Sequence, residues 1–376
     1  MSDLYWPGDD RAGEHFGQEA FVRALVDVEE DWLARLGHPA DLQALVQSRD
    51  LEVLAREAER GGNPVIGLVD RLRDGLTGEP ASWLHRGLTS QDVVDSALVR
   101  MAERAAGDLR ADLAALGADL TALAQAHRDT PMVARTLTQH AVPTTFGLRV
   151  AQWLAALVDA DEQLSGLSFP DQVGGAAGTR AAMVELGVEV DLEPLPWHTV
   201  RAPVTRLGDA LVTTTDALAR IANDVLVMSR PEIGELSEGR PGGSSTMPGK
   251  ANPVLSVLVR RAALTTPQLA ATLHVGAASQ VDDRADGGWH AEWATVRDLV
   301  RRTLTAASQS VELVAGLQVH AERMAATLAA AGASVRAEQR AMTDLTGRVP
   351  LPSYDGQAGA IVDAVVLRAQ RHWRSA

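Results

Sequence analysis

The chain has 376 residues, 46% of them hydrophobic and 22% charged, which suits a folded globular protein with more than one hydrophobic core. Its net charge of −14 argues against nucleic acid or an anionic membrane surface as a partner. The absence of cysteine excludes disulfides, thiolate catalysis and Cys-ligated metals.

Aromatic residues make up only 4%, while Ala and Leu abound, a balance that favours close helix packing over a β-sandwich. The first segment, Met1 to Glu19, is polar and acidic and lacks the apolar core of a signal peptide. No run approaches the roughly 18 apolar residues of a membrane span. A cytoplasmic location is the expectation.

In chain order, a helix is predicted over Ala20–Leu36, inside a smaller helical region that ends near Leu84. A long helix follows Thr89-Ser90 and runs to about His127. Its apolar residues (Val94, Leu98, Met101, Ala105, Leu109, Leu113, Leu116, Leu120, Leu123) recur in steps of three and four and so form one stripe. Side-chain oxygens of Thr89 with Asp92, or of Ser90, can serve its free N–H groups. Another helix is predicted at about Thr144–Gln163. Leu207, Leu211, Thr214, Leu218, Ile221, Val225 and Met228 then form a heptad seam. Two further helices fall at about Pro253–Thr272 and Trp289–Leu317, and a short helical tail starts near His320. Irregular stretches lie at Phe169–Thr179, Glu189–Pro203 and Glu232–Pro253.

The expected fold is all-α, with an N-terminal part (1–88), a central bundle of five long helices (89–318) and a short C-terminal part (319–376). Stripes this long bury more than one face, so self-association through the bundle is expected.

Three segments could carry chemistry. Glu232–Pro253 is too rich in Pro and Gly to be helical throughout. Its Ser244, Ser245, Lys250, Asn252 and the N–H groups of Gly242 and Gly243 could wrap a carboxylate. A plain surface connection is the alternative. Trp83–Asp92 sets His85, Arg86, Thr89 and Ser90 at a helix N-terminus, a place that favours anions but equally suits a simple cap. Arg135–Thr145 leads polar residues, Gln139 and His140 among them, into a helix. A lone His140 would ordinarily be structural. The acidic run Asp282–Asp286 lacks the alternation of a calcium loop and reads as a solvated turn. There is no P-loop, dinucleotide fingerprint or HExxH zinc motif.

Together these segments resemble the aspartase/fumarase superfamily. Gly243, Ser244, Met247, Lys250 and Asn252 of GGSSTMPGKAN match its signature loop. LHRGLTSQDVVDSA and RTLTQHAVPTTFGLRVAQW resemble its two other shared regions, in the right order. The likeness extends from about Leu25 to about Leu367. It implies a homotetramer with a twenty-helix core, active sites assembled from three subunits, and no metal or cofactor. The implied chemistry is addition or β-elimination beside a carboxylate through an aci-carboxylate, acting on a small polycarboxylate.

Carried over by position, Ser244 would move the proton at carbon. Lys250, Ser245, Met247 and Asn252 would hold the substrate and its developing charge, and His140 and His290 would be secondary proton-handling groups. His85, Thr89, Ser90, Gln139 and Arg201 would be substrate contacts. Departures narrow the reading. Where adenylosuccinate lyase-like members carry a His and its partner Glu, this chain has Leu137 and Val257. The usual acid for the leaving group is therefore missing, and a leaving group that departs as a stable carboxylate needs none. The texture looks most like the 3-carboxy-cis,cis-muconate cycloisomerases; Gly249 replaces the His common in them, a difference the superfamily tolerates because other members have Gly there. Another β-elimination lyase, or a binding paralogue without activity, is the alternative.

Overall fold

The computed structural model describes residues 3–192, 194–284 and 286–374. Glu193, in the second irregular stretch, and Ala285, in the acidic run, lie outside the described residues, as do the chain ends.

The elements run α1 (Gln18–Arg35), α2 (Leu51–Gly61), α3 (Val65–Gly75), α4 (Glu79–Trp83), α5 (Ser90–Ala126), β1 (Pro131–Thr136), β2 (Gln139–Thr145), α6 (Phe146–Ser165), α7 (Ala181–Glu185), α8 (Ala202–Met228), β3 (Leu236–Ser237), α9 (Val254–Ala278), α10 (Gly287–Ala315), β4 (Gln318–Val319), α11 (Ala321–Ala330), α12 (Ala337–Thr346) and α13 (Ala358–Arg374). The five long helices expected from periodicity are α5, α6, α8, α9 and α10. The α5 stripe from Val94 to Leu120 is buried, and so is the whole α8 seam from Leu207 to Met228. Each such Leu contributes roughly 1.5–3 kcal/mol by leaving water. α9 runs six residues past its expected end, continuing through Pro267.

One expectation needs correcting. Thr144–Thr145 does not begin a helix, because Gln139–Thr145 pairs with Pro131–Thr136 as an antiparallel hairpin. The fold is all-α with two short antiparallel strand pairs, the second joining β3 to β4.

The chain forms two compact units, whose boundaries fall inside α5, α8, α9 and α10. Unit 1 comprises Met1–Asp108, Gly166–Leu211 and Pro267–Leu304. It buries Leu25, Trp32 and Leu33 of α1, Leu68 and Leu72 of α3, and the first turns of α5. Arg301 ties down the N-terminal segment through both carboxylate oxygens of Asp9. Unit 2 comprises Leu109–Ser165, Val212–Thr266 and Thr305–Ala376. Here α13 packs along α6. Arg368 reaches Asp159 and Glu162, while His372 and Arg110 share the fully buried Asp161. Gly117 of α5 leaves room for the indole of Trp373, which a Cβ would meet at 2.3 Å.

Candidate active site

In unit 1 the site residues gather at the start of α5. Asp92, fully buried, is the centre of this frame. Its carboxylate accepts the backbone N–H of Thr89 at 3.0 Å, capping the helix, and those of Gly174 and Gly175 at 2.8 and 2.9 Å. His198 Nε2 lies 2.8 Å from the same carboxylate. One acidic side chain thus holds three segments distant in sequence. Thr89 is 8% exposed, and its hydroxyl accepts from Arg284. Ser90 is half-buried in the first turn of α5. His85 adopts φ 62°, an uncommon conformation for a residue with a Cβ, and its Nδ1 sits 2.6 Å from fully buried Glu29. That contact fixes the ring's orientation.

Arg201 behaves differently from the expected substrate contact. It is 2% exposed, and its guanidinium is bidentate to Asp95 at 2.8 and 2.9 Å. Its other donors go to Glu292, at 2.6 Å for the shortest, and to the carbonyls of Trp197 and His198. The Trp197 ring covers one face. With its donors spent on carboxylates and carbonyls, Arg201 holds the buried frame and faces no open site. Burial raises the Glu292 carboxyl above its ordinary range, and the Arg201 contacts offset this only in part.

In unit 2 the signature loop divides into stem and tip. The stem is pinned by strand pairing between β3 and β4 and by reciprocal backbone hydrogen bonds between Gly242 and Asn252, each 2.8 Å. Glu238 caps α9, accepting the N–H groups of Leu255 and Ser256 and the Ser256 hydroxyl. Fully buried Glu235 is bidentate with Arg135 of β1 at 2.7 and 2.9 Å, joining the loop's approach to the hairpin.

The tip is exposed. Within it Ser244 Oγ accepts the backbone N–H groups of Met247 at 3.1 Å and Thr246 at 3.3 Å. Asn252 donates to the Gly243 carbonyl at 2.8 Å. Ser245, Met247 and Lys250 are exposed. Gly249 stands at φ 81°, where a residue with a Cβ would be strained.

Gln139 and His140 are exposed on β2 beside the hairpin turn. That turn is Leu137-Thr138, at φ 48° and 70°. Leu137 is 96% exposed and Val257, on the first turn of α9, is 53% exposed. Neither position offers an ionisable group.

Within unit 1 the structure therefore brings together His85, Thr89 and Ser90, with Arg201 enclosed beneath the same frame. Within unit 2 it places Gln139 and His140 on the hairpin and Ser244, Ser245, Met247, Lys250 and Asn252 on the loop. Sequence reading missed Glu29, Asp92 as an organiser, Asp95, His198 and Glu292. The spacing of Asp92 and Asp95, one turn apart among the buried positions at the start of α5, was the available signal.

These polar segments sit on a long-helix fold, and residues 51–265 match the model of the family described as Lyase. The chain belongs to this family, within the aspartase/fumarase superfamily. It is 40% identical over 368 residues to a nitrosuccinate lyase of Streptomyces davaonensis, a match covering 88% of this chain and 77% of that one. It is 39% identical over 322 residues to a 3-carboxy-cis,cis-muconate cycloisomerase of Bradyrhizobium diazoefficiens, covering 80% and 70%. Among solved structures, the 3-carboxy-cis,cis-muconate lactonizing enzyme of Pseudomonas putida superposes with a TM-score of 0.74 at 28% identity, covering 96% of this chain and 95% of that one.

Proposed function

We propose that the protein catalyses β-elimination from a small polycarboxylate, expelling a leaving group that is already a stable anion. The observation that carries this reading is Ser244, whose Oγ already accepts two backbone N–H groups in the tip. Those donors, with Lys250 close in sequence, would lower the energy of the alkoxide that a serine must become to act as a base. Ser244 takes the proton from the carbon next to a carboxylate. The electron pair spreads onto that carboxylate, then forms the double bond as the leaving group departs. Gly242, Gly243 and Gly249 allow the tip to close over substrate and exclude water.

Leu137 and Val257 shape the choice of substrate. With no acid at either position, the leaving group must carry its own negative charge away. A nitro group departing as nitrite meets that demand: nitrosuccinate would yield a butenedioate, nitrite and one proton. The relation to nitrosuccinate lyase favours this substrate. The second reading is the cycloisomerase one, supported by the likeness to the muconate enzymes. There an internal carboxylate adds to the double bond and Ser244 delivers a proton to the α-carbon, closing 3-carboxy-cis,cis-muconate to 4-carboxymuconolactone with no acid needed at a leaving group.

The same proposal includes a cytoplasmic homotetramer of three-part subunits, divided after residues 88 and 318, with active sites shared between copies. Gln139, His140, His85, Thr89 and Ser90 would contact substrate. The test incubates purified protein with nitrosuccinate while nitrite is measured by diazo coupling, and in parallel with 3-carboxy-cis,cis-muconate while diene absorbance is followed. Nitrite release in step with butenedioate supports the first reading, and loss of diene absorbance the second. Failure of both at micromolar enzyme overturns the proposal.

A further inference from the structure

Unit 2 contains a cleft of about 650 Å³ whose cationic wall, apart from His140, has no part in the reaction above. Its wall is formed by the hairpin, α6, the end of α8 and α11. Arg135, Arg149, Arg220 and Arg230 all line it, together with His140. Only Asp224 and Glu232 oppose them there. In a chain of net charge −14 this is a local excess of positive charge.

The arginines are not equally engaged. Arg135 is satisfied by buried Glu235. Arg149 and Arg220 share the single carboxylate of Asp224, which also accepts from Trp153 Nε1 at 2.8 Å. Arg149 is held loosely, at 3.4 and 3.5 Å, and the Arg220 side chain is 45% exposed. Arg230 is exposed, and its guanidinium has no partner among the described residues. Two guanidiniums on one carboxylate, with Arg230 unpartnered in the lining of the same cleft, leave donors in the planar geometry that suits bidentate carboxylate binding. The volume falls in the range of small-molecule sites, and Met132, Val227 and Ile233 supply apolar wall.

We infer that this cleft binds a small polycarboxylate, held by Arg149, Arg220 and Arg230 around Asp224. The choice of ligand class rests on the elimination reading, but the site itself does not. The anion bridges guanidiniums from α6 and α8 and sits beside His140 on the hairpin. Its occupancy would therefore be felt at the hairpin without any change in Ser244.

Calorimetric titration of the full-length protein with citrate, a tricarboxylate probe, tests this without turnover. Saturable binding is expected, much tighter than for acetate. Arg230→Ala and Arg220→Ala should each weaken citrate binding by roughly tenfold, the loss of one charge-assisted contact. Ser244→Ala should leave it unchanged, so failure of the proposed chemistry and failure of this site give different results. Undiminished citrate affinity in a folded Arg220→Ala/Arg230→Ala double variant would overturn the inference. A change of oligomeric mass on Arg230→Glu would do so as well, because it would make the cleft an interface between copies.

Discussion

At the scale of single residues, the chemistry and the frame beneath it make separate demands. Ser244→Ala removes the proposed base but leaves the Gly242–Asn252 pairing and the Glu238 cap in place. Turnover should fall by about 10²–10⁴ with the melting temperature unchanged, read from initial rates and a thermal scan. Arg201→Ala has the opposite signature. It leaves the buried Asp95 and Glu292 carboxylates without a charged partner, at a cost of about 3–5 kcal/mol in denaturant unfolding. The pH dependence follows from Glu292. Its folded pKa is raised, so its favourable contribution is full below the ordinary value of 4.5 and is lost as pH rises through the folded value. Glu292→Gln should therefore flatten the stability curve above pH 4.5. An unchanged slope would refute the assignment.

Among the secondary-structure elements, what was legible in sequence depended on how local the signal is. α5 and α8 were readable because their apolar stripes repeat within the segment itself. The hairpin was not, because its turn residues are Leu137 and Thr138. A two-residue hairpin turn with both φ positive favours Asn-Gly, and L-residues with a Cβ cost roughly 1–2 kcal/mol each in that conformation. Leu137→Asn with Thr138→Gly should thus raise the melting temperature. The measurement is informative either way for catalysis, since a strained turn beside His140 fits a site that trades stability for geometry. The loop motif was legible as a run of residues. Its buried supports were not, because Glu235 meets Arg135 across a hundred positions and Asp92 meets His198 across more. The docking of α13 gives another test. Gly117→Ala drives a methyl into the rigid Trp373 indole and should destabilise unit 2 by about 1–3 kcal/mol, seen as early exchange of α13 amides.

At the scale of the whole molecule, the site residues fall into two sets, one on each compact unit. The proposal of sites shared between copies has a direct consequence. Thr89→Ala and Ser244→Ala would each silence the enzyme, yet co-refolded mixtures of the two should regain activity, because some sites would draw both intact segments from different copies. Absence of recovery in mixed oligomers of verified composition would show that each chain builds its own site. Light scattering should give a mass four times that of the chain. No described helix is long and apolar enough to cross a membrane.

The reciprocal pairing of Gly242 with Asn252 makes the loop separable in a way that matters for protein engineering. It closes a ring whose interior, residues 243–251, is exposed apart from half-buried Ser244 and makes few bonds to the rest of the fold. Such a segment can be exchanged as a cassette. A transplant of the corresponding stretch from a related enzyme would be grafted onto an already braced base, leaving the helices untouched. Libraries confined to this ring, with Ser244 and Lys250 kept, would sample new leaving groups while sparing the scaffold.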